Sequence, residues 1–358
     1  MPQGRDDSEQ IDRRGLTTDP DDVEGRKDGV AMRRLGLLTS GGDAPGTNAC
    51  IRAVVRSALY HDFDVVGIRG GYEGLMEDDF EKLDGRFVGG IVHRGGTILK
   101  TARTEKFKTE EGRRQALQNL EKHGVDVLVI IGGDGSLRGA LRLKEAGFPV
   151  MGVPATIDND VGFTDMALGV DTAMNTAISA IDKIKDTATS HRRAFLVETM
   201  GRDSGYLALM VGMASAAEAI IIPEVPASCE KILALIKEAH SKGKAHFIAV
   251  IAEGAEPDCR TIDQYLRERE EQLGFGVRVS ILGYIQRGGC PTAFDRLLGT
   301  RLGVKAVEEL AEGRHGKMAG LIGSRVLATD LEEVIAKPRE VDLSLFEMAK
   351  RLEIYPEP

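Results

Sequence analysis

The sequence predicts an α/β protein built on parallel sheets with helices packed on both faces. Eight short apolar runs, at 35–39, 65–68, 125–131, 150–153, 194–199, 219–222, 247–252 and 277–282, carry almost no polar alternation. Runs of that kind mark strands buried on both faces. Amphipathic helical stretches lie between them, notably 47–60, 171–189, 229–240 and 293–311, the alternation that winds a parallel sheet. Glycine is in excess, 43 of 358 residues, about 12% against a usual ~7%. No collagen-like period organises these glycines, so they belong in turns where backbone approaches a ligand closely. In parallel sheets ligands sit beyond the carboxyl ends of the strands, and the unusual residues of this chain fall there.

Composition bounds the function. A net charge of −9 argues against broad nucleic-acid binding, which needs clustered Lys and Arg. Cys50, Cys229, Cys259 and Cys290 lie far apart with no zinc spacing, as expected of free thiols in a reducing compartment. No apolar run approaches the roughly 18 residues that span a bilayer, and no apolar core marks a signal peptide. A cytoplasmic location is expected, without membrane or nucleic-acid partners. Residues 1–33 hold no aromatic residue and carry acidic clusters such as Asp19-Pro20-Asp21-Asp22, so they read as a disordered tail. Translation from Met32 is an equal alternative, and intact mass separates the two.

The first glycine loop, Ser40-Gly41-Gly42-Asp43-Ala44-Pro45-Gly46, opens a helix where bare backbone N–H groups can meet a phosphate. It is neither GxGxxG nor a P-loop, and a plain strand-to-helix turn explains it equally well. The second, Gly132-Gly133-Asp134-Gly135-Ser136, sets a carboxylate among glycines. Mg²⁺ needs only one or two protein carboxylates when it also binds phosphates. A helix cap is the alternative, but the glycines exceed what a cap requires. The third, Thr156-Ile157-Asp158-Asn159-Asp160, places two carboxylates two residues apart, where one can take a proton while the other sets its charge; a solvated acidic turn is the alternative. Arg103, Arg193, Arg202, Arg278 and Arg287 stand beside strand ends or glycines, where guanidinium forks hold phosphate. Base, metal carboxylate, phosphate-cradling backbone and arginine clamps together describe a kinase acting on a phosphorylated small molecule. His123 and Cys290 read as structural or incidental.

These loops, in this order and with Met200-Gly201-Arg202 and Gln286-Arg287-Gly288-Gly289, resemble the bacterial ATP-dependent 6-phosphofructokinases from about residue 34 to 327. The resemblance implies two Rossmann-like three-layer αβα domains with mainly parallel sheets. The larger, 34–169 with 286–336, would bind ATP and Mg²⁺; the smaller, 170–285 with 337–358, would bind the sugar phosphate. It implies the committed step of glycolysis, transfer from ATP to the 1-hydroxyl of fructose 6-phosphate. By position, Asp158 would be the base, supported by Thr156 and Asp160. Arg103, Arg202 and the Gly42 amide would steady the phosphoryl group. Asp134 would hold Mg²⁺, with Thr104, Gly133, Gly135 and Ser136 at the nucleotide. Ile157, Met200, Gly201, Glu253, Tyr284, Ile285, Gln286 and Arg287 would meet the sugar phosphate, with Arg193 and Arg278 reaching in from a neighbouring subunit of a homotetramer.

Family members that use pyrophosphate carry Asp and Lys where this chain has Gly135 and Ala155, so small neutral residues there favour ATP. Tyr284 replaces a histidine of well-known members, although its hydroxyl can still donate to phosphate. Arg52, Arg56, Lys185, Glu218, Lys242 and Lys244 fall on positions that bind an ADP or phosphoenolpyruvate effector. Gly85 and Lys185 each replace an arginine there, and Arg52 with Arg56 is equally an i, i+4 pair on a helix face. The rivals are a pyrophosphate-dependent enzyme, a silent sugar-phosphate sensor, and a dehydrogenase for which the GxGxxG is missing.

Overall fold

A computed structural model describes residues 33–352; the tail expected over 1–33 lies, apart from Arg33, outside the described residues. The strands are β1 (Arg34–Ser40), β2 (Asp64–Ile68), β3 (Phe80–Leu83), β4 (Val127–Gly132), β5 (Val150–Pro154), β6 (Arg193–Thr199), β7 (Ala219–Ile221), β8 (Phe247–Ala252), β9 (Gly276–Ile281), β10 (Lys317–Ile322) and β11 (Arg325–Asp330). The helices are α1 (Thr47–Tyr60), α2 (Gly71–Glu77), α3 (Glu110–Lys122), α4 (Asp134–Glu145), α5 (Val170–His191), α6 (Tyr206–Ala214), α7 (Cys229–Ser241), α8 (Cys259–Arg267), α9 (Ala293–Ala311), α10 (Leu331–Ala336) and α11 (Leu343–Arg351).

The fold is α/β with two sheets. Seven strands run in the order β11-β10-β5-β4-β1-β2-β3, and four in the order β7-β8-β6-β9. All pairs are parallel except β2 with β3 and β10 with β11. The apolar runs do what their continuity demands. On β4, Val127, Val129 and Ile131 enter one core with Ile51, Val54 and Leu302. Leu128 and Ile130 enter another with Leu120, Leu137 and Leu143. Alternate residues of one strand thus serve opposite faces, each covered by helices. The first of these cores continues into the second sheet through Leu196, Val250 and Val277.

Helix α9 lies close along α1 because Gly299 and Gly303 carry no side chain. A Cβ on Gly299 would meet Gly46 O at 3.0 Å and Cys50 N at 3.1 Å, and one on Gly303 would meet Cys50 O at 2.9 Å. From the same helix Asp295, fully buried, accepts from the N–H groups of Gly169 and Thr172 at 2.9 and 2.8 Å. It also accepts from the Thr172 hydroxyl at 2.6 Å. It therefore satisfies backbone donors of the α5 N-terminus that nothing inside the helix can. All four cysteines are free, and among the described residues no helix is long and apolar enough to cross a membrane.

Candidate active site

Register brings the three glycine and acidic loops together. Ser40, the last residue of β1, lies beside Gly132, the last of β4, and Gly132 lies beside Pro154, the last of β5. The loops that follow open on one cleft of about 630 Å³. Gly42, Arg103, Thr104, Gly133, Asp134, Gly135, Ser136, Thr156, Ile157, Asp158, Asp160, Arg202 and Arg287 all line it. The segment carrying Arg103 is tied to the β1 end, since the Thr39 hydroxyl donates to Lys100 O at 2.7 Å and the Thr101 hydroxyl donates to Gly41 O at 2.9 Å. Arg287 reaches in from beyond the second sheet. Its guanidinium lies against Gly42, where a Cβ would meet Nη1 at 2.9 Å and push the arginine head aside.

Helix α4 opens with Gly133 in the capping position without a side-chain cap, and Asp134 is its first helical residue. The capping alternative for Asp134 therefore falls away, and its carboxylate stands on the cleft wall. Among the described residues no group of three or more His, Cys, Asp or Glu is gathered to hold a metal. An ion here would have to share its shell with a ligand's phosphates and water, which suits Mg²⁺ and a single carboxylate.

Asp158 is buried, and its backbone N–H donates to the Thr156 hydroxyl at 3.1 Å. Burial raises its carboxyl above the ordinary value; the positive charges of Arg202, Arg287 and Arg103 pull it back down, and Glu253 pushes it up. Asp160 is pushed up to about 6, by burial first and then by the negative charge of Asp158. Its Oδ1 is buried with no hydrogen-bond partner. Asn159 between them has φ 51°, and its amide spans the loop, accepting from Ala167 N–H at 2.9 Å and donating to Asp165 O at 3.2 Å. The outcome is a desolvated carboxylate within the field of three arginines, which holds a proton more readily than it would in water.

The second sheet meets the cleft at the carboxyl ends of β6 and β8. Arg202 follows β6 with φ 52°, and its N–H donates to Glu253 Oε1, just beyond β8, at 2.7 Å. Met200 and Gly201 are buried beside it. Arg193 and Arg278 stand elsewhere. Arg193 begins β6 opposite Gly276, and Arg278 pairs with Phe195, at the far end of the strands from Arg202; neither lines the cleft. Tyr284 and Ile285 are exposed at 79% and 57%, whereas Gln286 is fully buried and donates to Gly283 O at 3.1 Å.

The six candidate effector residues fall into two groups. Arg52 and Arg56 sit on α1, and Arg56 donates to Gly85 O at 3.3 Å. Lys185 donates to Ser215 O, Lys244 pairs with Glu218 at 3.4 Å, and Lys242 pairs with Glu238 at 2.7 Å.

The cleft also has a wall that sequence reasoning missed. Tyr72 stacks on Phe107 with ring centroids 4.0 Å apart, and its hydroxyl donates to Ser136 O at 2.7 Å. Lys108, Arg113, Arg138 and Arg142 line the same end. Only the i, i+4 spacing of Asp134, Arg138 and Arg142 along one helix face could have pointed to the last two.

The phosphofructokinase family model matches residues 34–310. The chain belongs to that family. An ATP-dependent 6-phosphofructokinase from Bacillus licheniformis is 50% identical over 323 residues, covering 90% of this chain and 100% of the relative. The phosphofructokinase structure from Saccharomyces cerevisiae is 34% identical with a TM-score of 0.78, covering 90% of this chain and 47% of that one; the chain thus spans about half the yeast chain's length. A pyrophosphate-dependent phosphofructokinase from Marinobacter aquaeolei, 21% identical with a TM-score of 0.77 and coverage of 91% and 92%, shares the fold alone.

Proposed function

We propose that this chain transfers the terminal phosphoryl group of ATP to the 1-hydroxyl of fructose 6-phosphate, the committed step of glycolysis. The observation that carries this reading is the register of Ser40, Gly132 and Pro154, which gathers the three loops around a buried carboxylate faced by arginines. Asp158 takes the hydroxyl proton as the oxygen attacks, and its desolvation makes it the stronger base. Arg103, Arg202 and the Gly42 N–H hold the transferring group, whose charge is spread over its outer oxygens. Thr156 and Asp160 keep the base in place. Gly133, Gly135 and Ser136, with Thr104, line the nucleotide, and Asp134 would hold Mg²⁺. When bound, that ion neutralises phosphate charge and orients the donor.

ATP is the donor that suits the cleft. A Cβ at Gly135 would meet nothing within 4 Å, so the cleft stays open where pyrophosphate-using members place a carboxylate. Glu253, Met200, Gly201, Ile157, Tyr284, Ile285, Gln286 and Arg287 serve the sugar phosphate. Arg193 and Arg278 serve it in a neighbouring copy, so the sites are shared between subunits, in the homotetramer that the family resemblance implies. The division into 34–169 with 286–336 and 170–285 with 337–358 belongs to the same reading, as does a cytoplasmic location. So does an ADP or phosphoenolpyruvate effector held by Arg52, Arg56, Lys185, Glu218, Lys242 and Lys244.

The test is fructose 1,6-bisphosphate formation from fructose 6-phosphate and Mg²⁺ with ATP or pyrophosphate as donor. Turnover with ATP alone supports the reading. Turnover with pyrophosphate overturns the donor assignment, and none with either favours a silent sensor.

A further inference from the structure

The four basic residues at the nucleotide end of the cleft are partnered unequally. Lys108 pairs with Glu105 at 2.8 Å, Arg113 donates to Lys108 O at 2.5 Å, and Arg142 pairs with Glu145 at 2.7 Å. Glu145 lies outside the cleft lining, so Arg142 is satisfied away from any bound ligand. Arg138 is different. Its Nε–H donates to Asp134 Oδ2 at 2.7 Å, one helical turn back. Asp134 is the carboxylate assigned to the metal, and both side chains line the cleft. The pair has the favourable helical order, acid before base near the N-terminus. It is nonetheless open to solvent, at 52% and 32%, where i, i+4 ion pairs hold weakly and exchange readily.

We infer that Arg138 is a specificity-determining residue that occupies the metal carboxylate until a nucleotide arrives, so that the divalent ion enters with the nucleotide and not before it. The inference rests on the assignment of Asp134 to the metal. A guanidinium and a divalent cation compete for the same carboxylate oxygen, and a like charge one hydrogen bond away repels the ion from it. In solvent-exposed surroundings that repulsion amounts to roughly a tenfold change in affinity. A polyphosphate removes the conflict. It offers the guanidinium an anion to pair with in place of Asp134, and it supplies oxygens that complete the ion's shell. Arg138 need only turn about its own side-chain torsions, since its Cα is fixed in α4 and the cleft leaves its head half-exposed. Metal-free nucleotide should therefore also draw affinity from Arg138.

The experiment measures Mn²⁺ binding to the nucleotide-free full chain by the loss of the free-ion electron paramagnetic resonance signal, with no turnover involved. Arg138→Met should bind Mn²⁺ about tenfold more tightly than the parent protein, a ~1.4 kcal/mol difference. Arg138→Lys, which keeps the charge, should stay near the parent. Equal affinities in the parent and Arg138→Met would overturn the inference. Adding Asp134→Asn to Arg138→Met should abolish the gained binding. If that gain persists, the ion sits elsewhere and the Asp134 assignment itself fails. If instead Asp134→Asn alone removes Mn²⁺ from the nucleotide complex while Arg138→Met changes nothing, the assignment stands and only the inference falls. Titration of ATP in the presence of a chelator completes the test. Arg138→Met should weaken metal-free ATP by about fivefold, as expected when one exposed charged partner is lost; unchanged ATP binding would sink the exchange.

Discussion

The seven-stranded sheet delivers three loops to the cleft from neighbouring strands in register, Ser40 beside Gly132 beside Pro154. The four-stranded sheet delivers far less: the turn that carries Arg202, whose backbone N–H is held by Glu253, and nothing from the amino-terminal halves of β6 and β9, where Arg193 and Arg278 stand away from the cleft. The phosphoryl-transfer half of the site is thus closed within one chain, and the acceptor half is left open. The difference teaches where a single chain suffices. The loops of the larger sheet are placed by strand register, whereas on the proposed reading the acceptor phosphate would be met by side chains such as Arg193 and Arg278 that stand away from this chain's own cleft.

The largest effect should come from the closed half. Asp158→Asn keeps the shape of the buried loop and removes the base, so turnover should fall by about 10²–10⁴-fold while fructose 6-phosphate binding is largely kept. Steady-state kinetics checks this, and near-parental turnover would mean that the base lies elsewhere. Arg202→Ala comes next. It strips one charge from the transferring group, a loss of about 10²–10³-fold in kcat. An effect confined to KM would move Arg202 to the acceptor half, as a ground-state anchor.

A smaller effect tests the open half. Arg278→Ala removes an exposed guanidinium from the amino-terminal half of β9. It should raise the KM for fructose 6-phosphate by about tenfold or somewhat more, the usual worth of a charge-assisted hydrogen bond, with little change in kcat. Mixing Arg278→Ala with Asp158→Asn subunits sharpens the comparison. If sites are shared, some would combine an intact Asp158 from one copy with an intact Arg278 from another, and low-KM turnover would return. Mixtures no better than their parents would place Arg278 outside the acceptor site.

The same asymmetry governed what the sequence made legible. Strands β1, β4, β5, β6 and β8 were readable because each carries a near-continuous apolar run without polar alternation, the mark of a doubly covered strand. Strands β3, with the sequence Phe80-Glu81-Lys82-Leu83, and β11 were not, since these edge strands mix charge with apolar residues and one face of β11 stays partly exposed; β10, paired on both sides, was missed because its apolar run is short and starts on Lys317. The glycine loops announced themselves by composition. Tyr72, Phe107 and Arg138 did not, because a core aromatic pair and an i, i+4 ion pair are ordinary features until a fold turns them toward one cleft. The family resemblance supplied the roles of Arg193 and Arg278, for which one chain offers no partner.

The smallest effect concerns the cost of keeping the closed half dry. Asp160 holds its proton up to about pH 6 in the folded protein, against about 3.9 in an unfolded chain. Its folded-state value is raised, so the protonated form favours folding below pH 4, and that advantage is lost as pH rises through 6. At pH 8 the buried carboxylate is charged, with Oδ1 unpartnered, and it works against stability. The shift sets a ceiling of about 3 kcal/mol. Partial solvent access and the polar replacement bring the expected gain for Asp160→Asn to the order of 1 kcal/mol at pH 8, vanishing near pH 4. Denaturant unfolding at the two pH values reads this directly. A gain that is equal at both would show that the carboxylate's charge is not what the loop bears, and that the raised value belongs to the Asp158–Asp160 pair in some other distribution of the proton.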